Sequence, residues 1–66
     1  MKFVVYKDAR GEYRWRLVAV NGRTIADSGE GYGNKADCLA AIQLVKEGAP
    51  RAPVEDTTAA ATASRW

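Results

Sequence analysis

The sequence predicts an α+β fold, a three-stranded antiparallel meander followed by one helix. In residues 13–20 the odd positions are aromatic or apolar and the even positions begin with two arginines, which is the period of two that is typical of a strand. Residues 35–47 instead repeat their apolar positions every three and four residues, as an amphipathic helix does. A chain of 66 residues has room for one small domain, and a core of that size is only marginally stable without further support.

Two turn signals divide the first part of the chain into strands. The run from Lys2 to Lys7 is rich in β-branched and aromatic residues, and residues 8–11 begin with Asp and end with Gly, as many β-turns do. Asn21-Gly22 predicts a type I′ hairpin turn, since both central residues of that turn need a positive φ. Residues 23–28 then return as the third strand.

The second strand, residues 13–20, separates aromatic and apolar side chains from basic ones. Trp15 and Leu17 lie on one face, where we expect them to form the core beneath the helix, and Arg14 and Arg16 lie on the other. Apolar residues also occur on that second face, at Val18 and Val20 of this strand and on both sides of the first strand. One helix covers one face only, so the sequence predicts that the other face or an edge needs a partner.

The helix is predicted to begin near Lys35, with Asn34 as its N-cap, and to end with Gly48 at the C′ position before Pro50. Three glycines in residues 29–33 favour a tight turn into the helix over phosphate binding, because their spacing matches no phosphate-binding motif. The helix carries an apolar stripe of Cys38, Leu39, Ala41, Ile42 and Val45.

The last part of the chain predicts a short fourth strand and a tail. The strand consists of Ala52, Pro53, Val54, Glu55 and Asp56. Proline has no N–H to donate, which restricts this strand to an edge or a strand start. We assign the domain to residues 1–57 and expect the Ala/Thr-rich residues 58–66 to be disordered.

Composition argues against several classes of function. The chain has no histidine and one cysteine, Cys38, so we predict no disulfide within the chain, no metal site and no cofactor. Cys38 is interpreted as a small buried hydrophobe, since no imidazole can activate it. No apolar run approaches the roughly 20 residues that cross a bilayer, which predicts a cytoplasmic protein without membrane contact.

Basic residues are concentrated at the start of the chain. Residues 1–23 hold six basic and two acidic side chains, a local net charge of +4, within a total of +2. This asymmetry suits self-association about as well as binding to nucleic acid. The candidate binding surface consists of Lys7, Arg10, Arg14, Arg16 and Arg23.

Taken together, several motifs resemble the YegP-like family of small bacterial and archaeal domains. These are Phe3–Asp8, Gly11–Leu17, Asn21-Gly22, Ser28–Tyr32 and Ile42–Lys46. The resemblance covers about residues 2–57, and the set is specific although no single piece is. It implies a β-β-β-α-β unit, two copies of which form one continuous sheet by exchanging their C-terminal strands. It supplies no biochemical function.

A single repeat implies that the second copy comes from another chain. We therefore predict a homodimer in which residues 52–56 form the exchanged strand, acting as a non-enzymatic binding or interaction module. Weak nucleic-acid binding through the basic sheet face is the first alternative. An enzyme with its site in the groove of the dimer is the second, which no catalytic spacing supports.

Overall fold

A computed structural model describes residues 1–58 and confirms the α+β architecture of three antiparallel strands and one helix. The predicted tail therefore lies outside the described residues except for its first residue. In chain order the elements are β1 (Lys2–Lys7), β2 (Tyr13–Val18), β3 (Thr24–Asp27), the helix α1 (Lys35–Gly48) and a short 3₁₀ helix (Ala49–Arg51).

The sheet has the order β1-β2-β3, with β2 in the centre and antiparallel to both neighbours. Val5 lies opposite Trp15 and Val4 lies opposite Arg16. Residues directly opposite each other in such a pair share a face of the sheet. The register therefore gives each side chain of β1 and β2 a face.

The first predicted turn is confirmed. The Gly11 N–H donates to the Asp8 carbonyl oxygen at 3.0 Å, and Gly11 has a φ of +80°, which favours glycine. The Asp8 side chain also accepts from the backbone N–H groups of Arg10, at 2.9 Å, and Glu12, at 3.0 Å. One carboxylate therefore organises the whole connection between β1 and β2.

The type I′ turn predicted at Asn21-Gly22 is wrong. Only Gly22 has a positive φ, and its N–H donates to the Ala19 carbonyl oxygen at 2.9 Å. Ala19 and Arg23 then close a three-residue loop through a 2.8 Å backbone hydrogen bond. The central pair of the turn is therefore Val20-Asn21, with glycine in the left-handed position after it. Val20 lies in this loop, and β2 ends two residues earlier than predicted.

The helix begins as predicted and ends differently. The Asn34 side chain accepts a hydrogen bond from the Asp37 N–H at 2.9 Å, which confirms it as the N-cap. Gly48 is the last helical residue, with a φ of −92°, so its prediction as a left-handed C′ residue is wrong. Pro50 does not stop the chain from turning because it occupies the first turn of the 3₁₀ helix, where its missing N–H has no cost.

The core lies between the helix and one face of the sheet. Its buried side chains are Trp15, Cys38 and Ile42, which confirms that Trp15 packs beneath the helix. The Phe3 ring meets the Trp15 ring edge-on, with 5.5 Å between the centroids. Partly buried side chains surround this cluster, among them Phe3, Val5, Tyr13, Leu17, Tyr32, Ala41 and Val45.

Residues 52–56 form no strand within the single chain, so the fourth strand of the predicted unit is absent from the described residues of one copy. Ala52 has extended backbone angles, and Val54 is 69% exposed. A strand needs a neighbouring strand for its backbone hydrogen bonds, and this segment has no such neighbour among residues 1–58. Exchange of the segment between two chains stays a prediction.

Candidate interaction surfaces

The face of the sheet opposite the core carries a stacked aromatic and basic pair, which we call the open face. By register it contains Val4 and Tyr6 of β1 together with Arg14 and Arg16 of β2. The Arg16 guanidinium carbon lies 4.4 Å from the centroid of the Tyr6 ring. Arg16 is exposed and Tyr6 is half-buried, so solvent reaches this cation–π pair.

Arg14, also on this face, is held by hydrogen bonds and an ion pair. Its Nε donates to Asp8 Oδ2 at 2.7 Å, and its guanidinium also donates to the Ser28 carbonyl oxygen at 3.3 Å. The hydrogen bond from Arg14 holds the pKa of the Asp8 carboxyl below its usual range, with further help from the Glu12 N–H. In return, Asp8 raises the pKa of Arg14, so both groups stay charged near neutral pH.

The other members of the predicted basic surface are dispersed. Lys7 shares a face with Tyr13 on the core side of the sheet, and its Nζ lies 5.0 Å from the centroid of that ring. Arg10 lies in the turn before β2, and Arg23 follows the turn after β2. The structure thus brings Arg14 and Arg16 together on one face and places Arg10 and Arg23 beyond the two ends of β2.

A second surface is an apolar groove between the first half of β1 and the helix. It has a volume of about 520 Å³. This groove runs beside the edge of β1 that has no neighbouring strand in the described part of the chain. Its lining is Met1, Lys2, Phe3, Val5, Leu17, Leu39, Ile42 and Lys46.

Sequence reasoning missed the groove as a site. The sequence feature that could have indicated the groove is the apolar stripe of the helix, which is wider than the core needs. Leu39 belongs to this stripe and is 48% exposed. Met1, which is 73% exposed, extends the apolar lining at the same place. The role of Asp8 as the acceptor for Arg14 was also missed, because only the turn brings residues 8 and 14 together.

Two motifs that invite chemistry have structural explanations. Cys38 is fully buried, and burial raises the pKa of its thiol, which keeps it protonated and unreactive. Gly31 lies against the Glu12 side chain, so a Cβ at this position would clash with it, 2.8 Å from the Glu12 Cβ. A glycine is therefore needed where the Tyr32 and Tyr13 backbones exchange two hydrogen bonds of 2.8 Å.

A search of residues 1–58 finds no group of three potential metal ligands. Within the same residues, no helix has the length and apolar character to cross a membrane. What the described residues do present are two surfaces, the open face and the apolar groove.

These features define a small α+β module with one helix on a three-stranded sheet. Residues 8–56 match the model of a family described as a domain of unknown function, DUF1508. The chain belongs to this family, which fits the resemblance to YegP-like domains.

Relatives of the chain occur in bacteria and archaea under the name UPF0339. It is 50% identical to such a protein from Neisseria meningitidis serogroup B, over 85% of this chain and 98% of that one. It is 51% identical to one from Methanosarcina acetivorans, over 80% of this chain and 90% of that one. Uncharacterised relatives of this kind give the family without giving a function.

A solved structure has the same fold. It is the solution NMR structure of a protein from Haloferax volcanii, with 48% sequence identity and a TM-score of 0.80. The match covers 85% of this chain and 93% of that protein. Nearly the whole fold described above is therefore shared with an archaeal protein.

Proposed function

We propose that the protein is a non-enzymatic binding module that works as a homodimer. In this dimer, residues 52–56 of each copy lie along the unpaired edge of β1 of the other copy and cover its groove. The observation that carries the proposal is the apolar groove of about 520 Å³ beside that edge, in a chain whose Val54 is 69% exposed in a segment that forms no strand among residues 1–58. An unpaired edge strand is a template for strand addition from another chain.

The apolar side chains of the segment and the groove complement each other. Val54 is 69% exposed, while Leu39 and Met1 of the groove are also exposed. Burying one such side chain contributes about 1.5 to 3 kcal/mol. Each dimer contains the contact twice, so the combined gain is large for a domain with three buried apolar side chains in its core.

Charge at the rim of the groove favours the same occupant. Lys2 and Lys46 line the groove, and its lining contains no acidic residue. Glu55 follows Val54 directly, so an apolar residue that enters the groove brings a carboxylate to the basic rim. Strand addition accompanied by a pair of opposite charges also fixes the register.

The chemistry of the lining supports binding over catalysis. Aliphatic and aromatic side chains make up the lining apart from its two lysines, and it contains no carboxylate, thiol or hydroxyl side chain. General acid and base chemistry most often uses histidine or a carboxylate, and the lysines that line this groove have no such partner within it. We therefore propose a docking role for this groove, in preference to an enzyme site between the two copies.

One relative is long enough to hold two units in one chain. A UPF0339 protein of Stutzerimonas stutzeri is 48% identical over 48 residues, which make up 42% of its length. The rest of that protein has room for a second unit, and a second chain would supply such a unit here.

The cytoplasmic location stays a prediction.

Molar mass by light scattering across a dilution series tests the dimer. We expect the full chain to give twice 7.2 kDa and Val54→Ser to give the mass of one chain at the same concentration. Leu44→Ser is the matched control, because Leu44 is 71% exposed and is not part of the groove lining. It loses a similar exposed apolar side chain and should stay dimeric.

Two results would contradict the proposal. A folded monomer at all concentrations would remove the dimer itself. The second result is a dimer that stays intact in Val54→Ser and dissociates in Leu44→Ser. It would show that the interface lies on the outer side of the helix and not at the groove.

A further inference from the structure

The stacked pair on the open face has no role in the core or in the proposed dimer. We propose that this face binds single-stranded nucleic acid, with Tyr6 and Arg16 as its stacking centre. The helix packs on the other face of the sheet, and Lys2 is the residue of the open face that also lines the groove.

The geometry of the pair suits a nucleobase. The Arg16 guanidinium lies over the Tyr6 ring at 4.4 Å, on the open face of β1 and β2. Unstacked bases bind aromatic rings and guanidinium planes, and sheet surfaces that bind single strands combine rings and cations on one face. A ring and a cation occur on one face here because they come from neighbouring strands, Tyr6 from β1 and Arg16 from β2. Within β2 itself, alternation places the aromatic side chains and the arginines on opposite faces.

Cations continue beyond the stacking centre in both directions along β2. Arg10 lies in the turn before the strand, and Arg23 lies after the turn that follows it. Lys2 shares the open face by register, because it lies opposite Val18. A backbone that runs along β2 would meet a cation at each end and a stacking platform between them, which is how non-specific single-strand sites are built.

Carboxylates limit the affinity of this face. Asp8 neutralises Arg14 at 2.7 Å, and Asp27 lies opposite Arg16 in the register of β2 and β3. The free positive charge then comes mainly from Arg16, with Arg10 and Arg23 at the ends, because Lys2 also lines the groove and faces Glu55 of the other copy in the proposed dimer. We therefore expect weak binding that falls steeply as salt is raised. Single-stranded nucleic acid fits better than an acidic peptide, because a peptide supplies the charge without the stacking bases.

Fluorescence anisotropy with labelled oligouridine and oligothymidine of about fifteen nucleotides tests the proposal, a length within known single-strand site sizes. The full chain should bind both at about 50 mM salt and lose affinity at about 200 mM. A clear preference for oligouridine would identify RNA as the natural ligand. Equal binding of the two would identify a site for single strands of either kind. A duplex of the same length should bind more weakly.

Three variants locate the site. Tyr6→Leu removes the ring and should weaken binding about tenfold, the size of effect that loss of one stacked base gives. Arg16→Gln should weaken binding and reduce the salt slope by about 0.7, the value for one phosphate contact of a single strand. Arg51→Gln is the matched control, because it removes the same charge from the 3₁₀ helix, away from the open face, and should change the affinity less than twofold.

Each variant is first checked for a native far-ultraviolet circular dichroism spectrum. Absence of binding at low salt would overturn the proposal. So would equal losses from Arg16→Gln and Arg51→Gln, because these would indicate general charge attraction. Binding of an acidic peptide as tightly as the oligonucleotides would also overturn it, since stacking would then contribute nothing.

Discussion

The two faces of the sheet are built from alternate residues of the same strands, yet they obey different physical constraints. Trp15 faces the helix and is 8% exposed, while its neighbour Arg16 faces solvent. On the core face, a substitution is tolerated only if the new side chain still buries apolar surface beneath the helix. On the open face, an ion pair and a cation–π pair order side chains that still contact water. Substitutions on the open face should therefore change the proposed binding with little effect on stability.

The largest effect is expected from Trp15→Ala. Loss of a buried aromatic side chain costs about 3 to 5 kcal/mol, most of the stability of so small a domain. Arg16→Ala on the other face should change the free energy of unfolding by less than about 1 kcal/mol. Urea denaturation followed by circular dichroism, at one protein concentration, measures both. Similar effects from the two changes would show that the faces are not distinct in energy.

A smaller effect is expected from Asp8→Asn, which sharpens the comparison on the open face. Asparagine keeps an oxygen for the two backbone N–H groups and loses the ionic partner of Arg14. We expect a lower melting temperature at neutral pH. Asp8→Ala also removes the side-chain oxygen that accepts from the two backbone N–H groups, so it should lower the melting temperature further. The reverse order would mean that the turn gains nothing from the side-chain acceptor.

The pH dependence of this effect has a definite sign. The pKa of Asp8 is lowered in the folded protein, so its charged form stabilises the fold above the pKa of the unfolded chain. That contribution is lost as the pH falls through the folded-state pKa. The difference in melting temperature between the wild type and Asp8→Asn should therefore shrink in acid. A difference that is constant with pH would exclude ionisation of Asp8 as its cause.

The smallest effect is expected from charge reversal at the rim of the groove. Among residues 1–58 the one salt bridge joins Arg14 and Asp8, so Lys46 has no ionic partner in that part of its own chain. We expect Lys46→Glu to weaken the proposed dimer several-fold, in line with the modest energy of an exposed ion pair. Adding Glu55→Lys to the same chain should restore it. Sedimentation at low and high salt measures both, and additive losses would exclude the pairing.

Local signals in the sequence were enough for the order and type of the three strands and helix α1, but not for the 3₁₀ helix or for residues 52–56. The alternation of residues 13–20 placed Trp15 in the core, and Asn34 marked the start of the helix. Boundaries were less determined, because similar local preferences support several turns. At Val20-Asn21-Gly22 the strand ladder, rather than the dipeptide, decided which residues form the turn. At Gly48 the chain keeps right-handed helical angles and continues into the 3₁₀ helix, although glycine often ends a helix in the left-handed conformation.

What the sequence by itself determined is the pattern of faces, because side-chain direction in a strand or helix follows from local backbone geometry. It also placed the basic start of the chain and Val54 in the segment 52–56. Only the tertiary structure decided which distant residues come together: Asp8 with Arg14, Tyr6 with Arg16, and Leu39 and Phe3 in the lining of one groove. These contacts depend on strand register and on the position of the helix, which no local run of residues encodes.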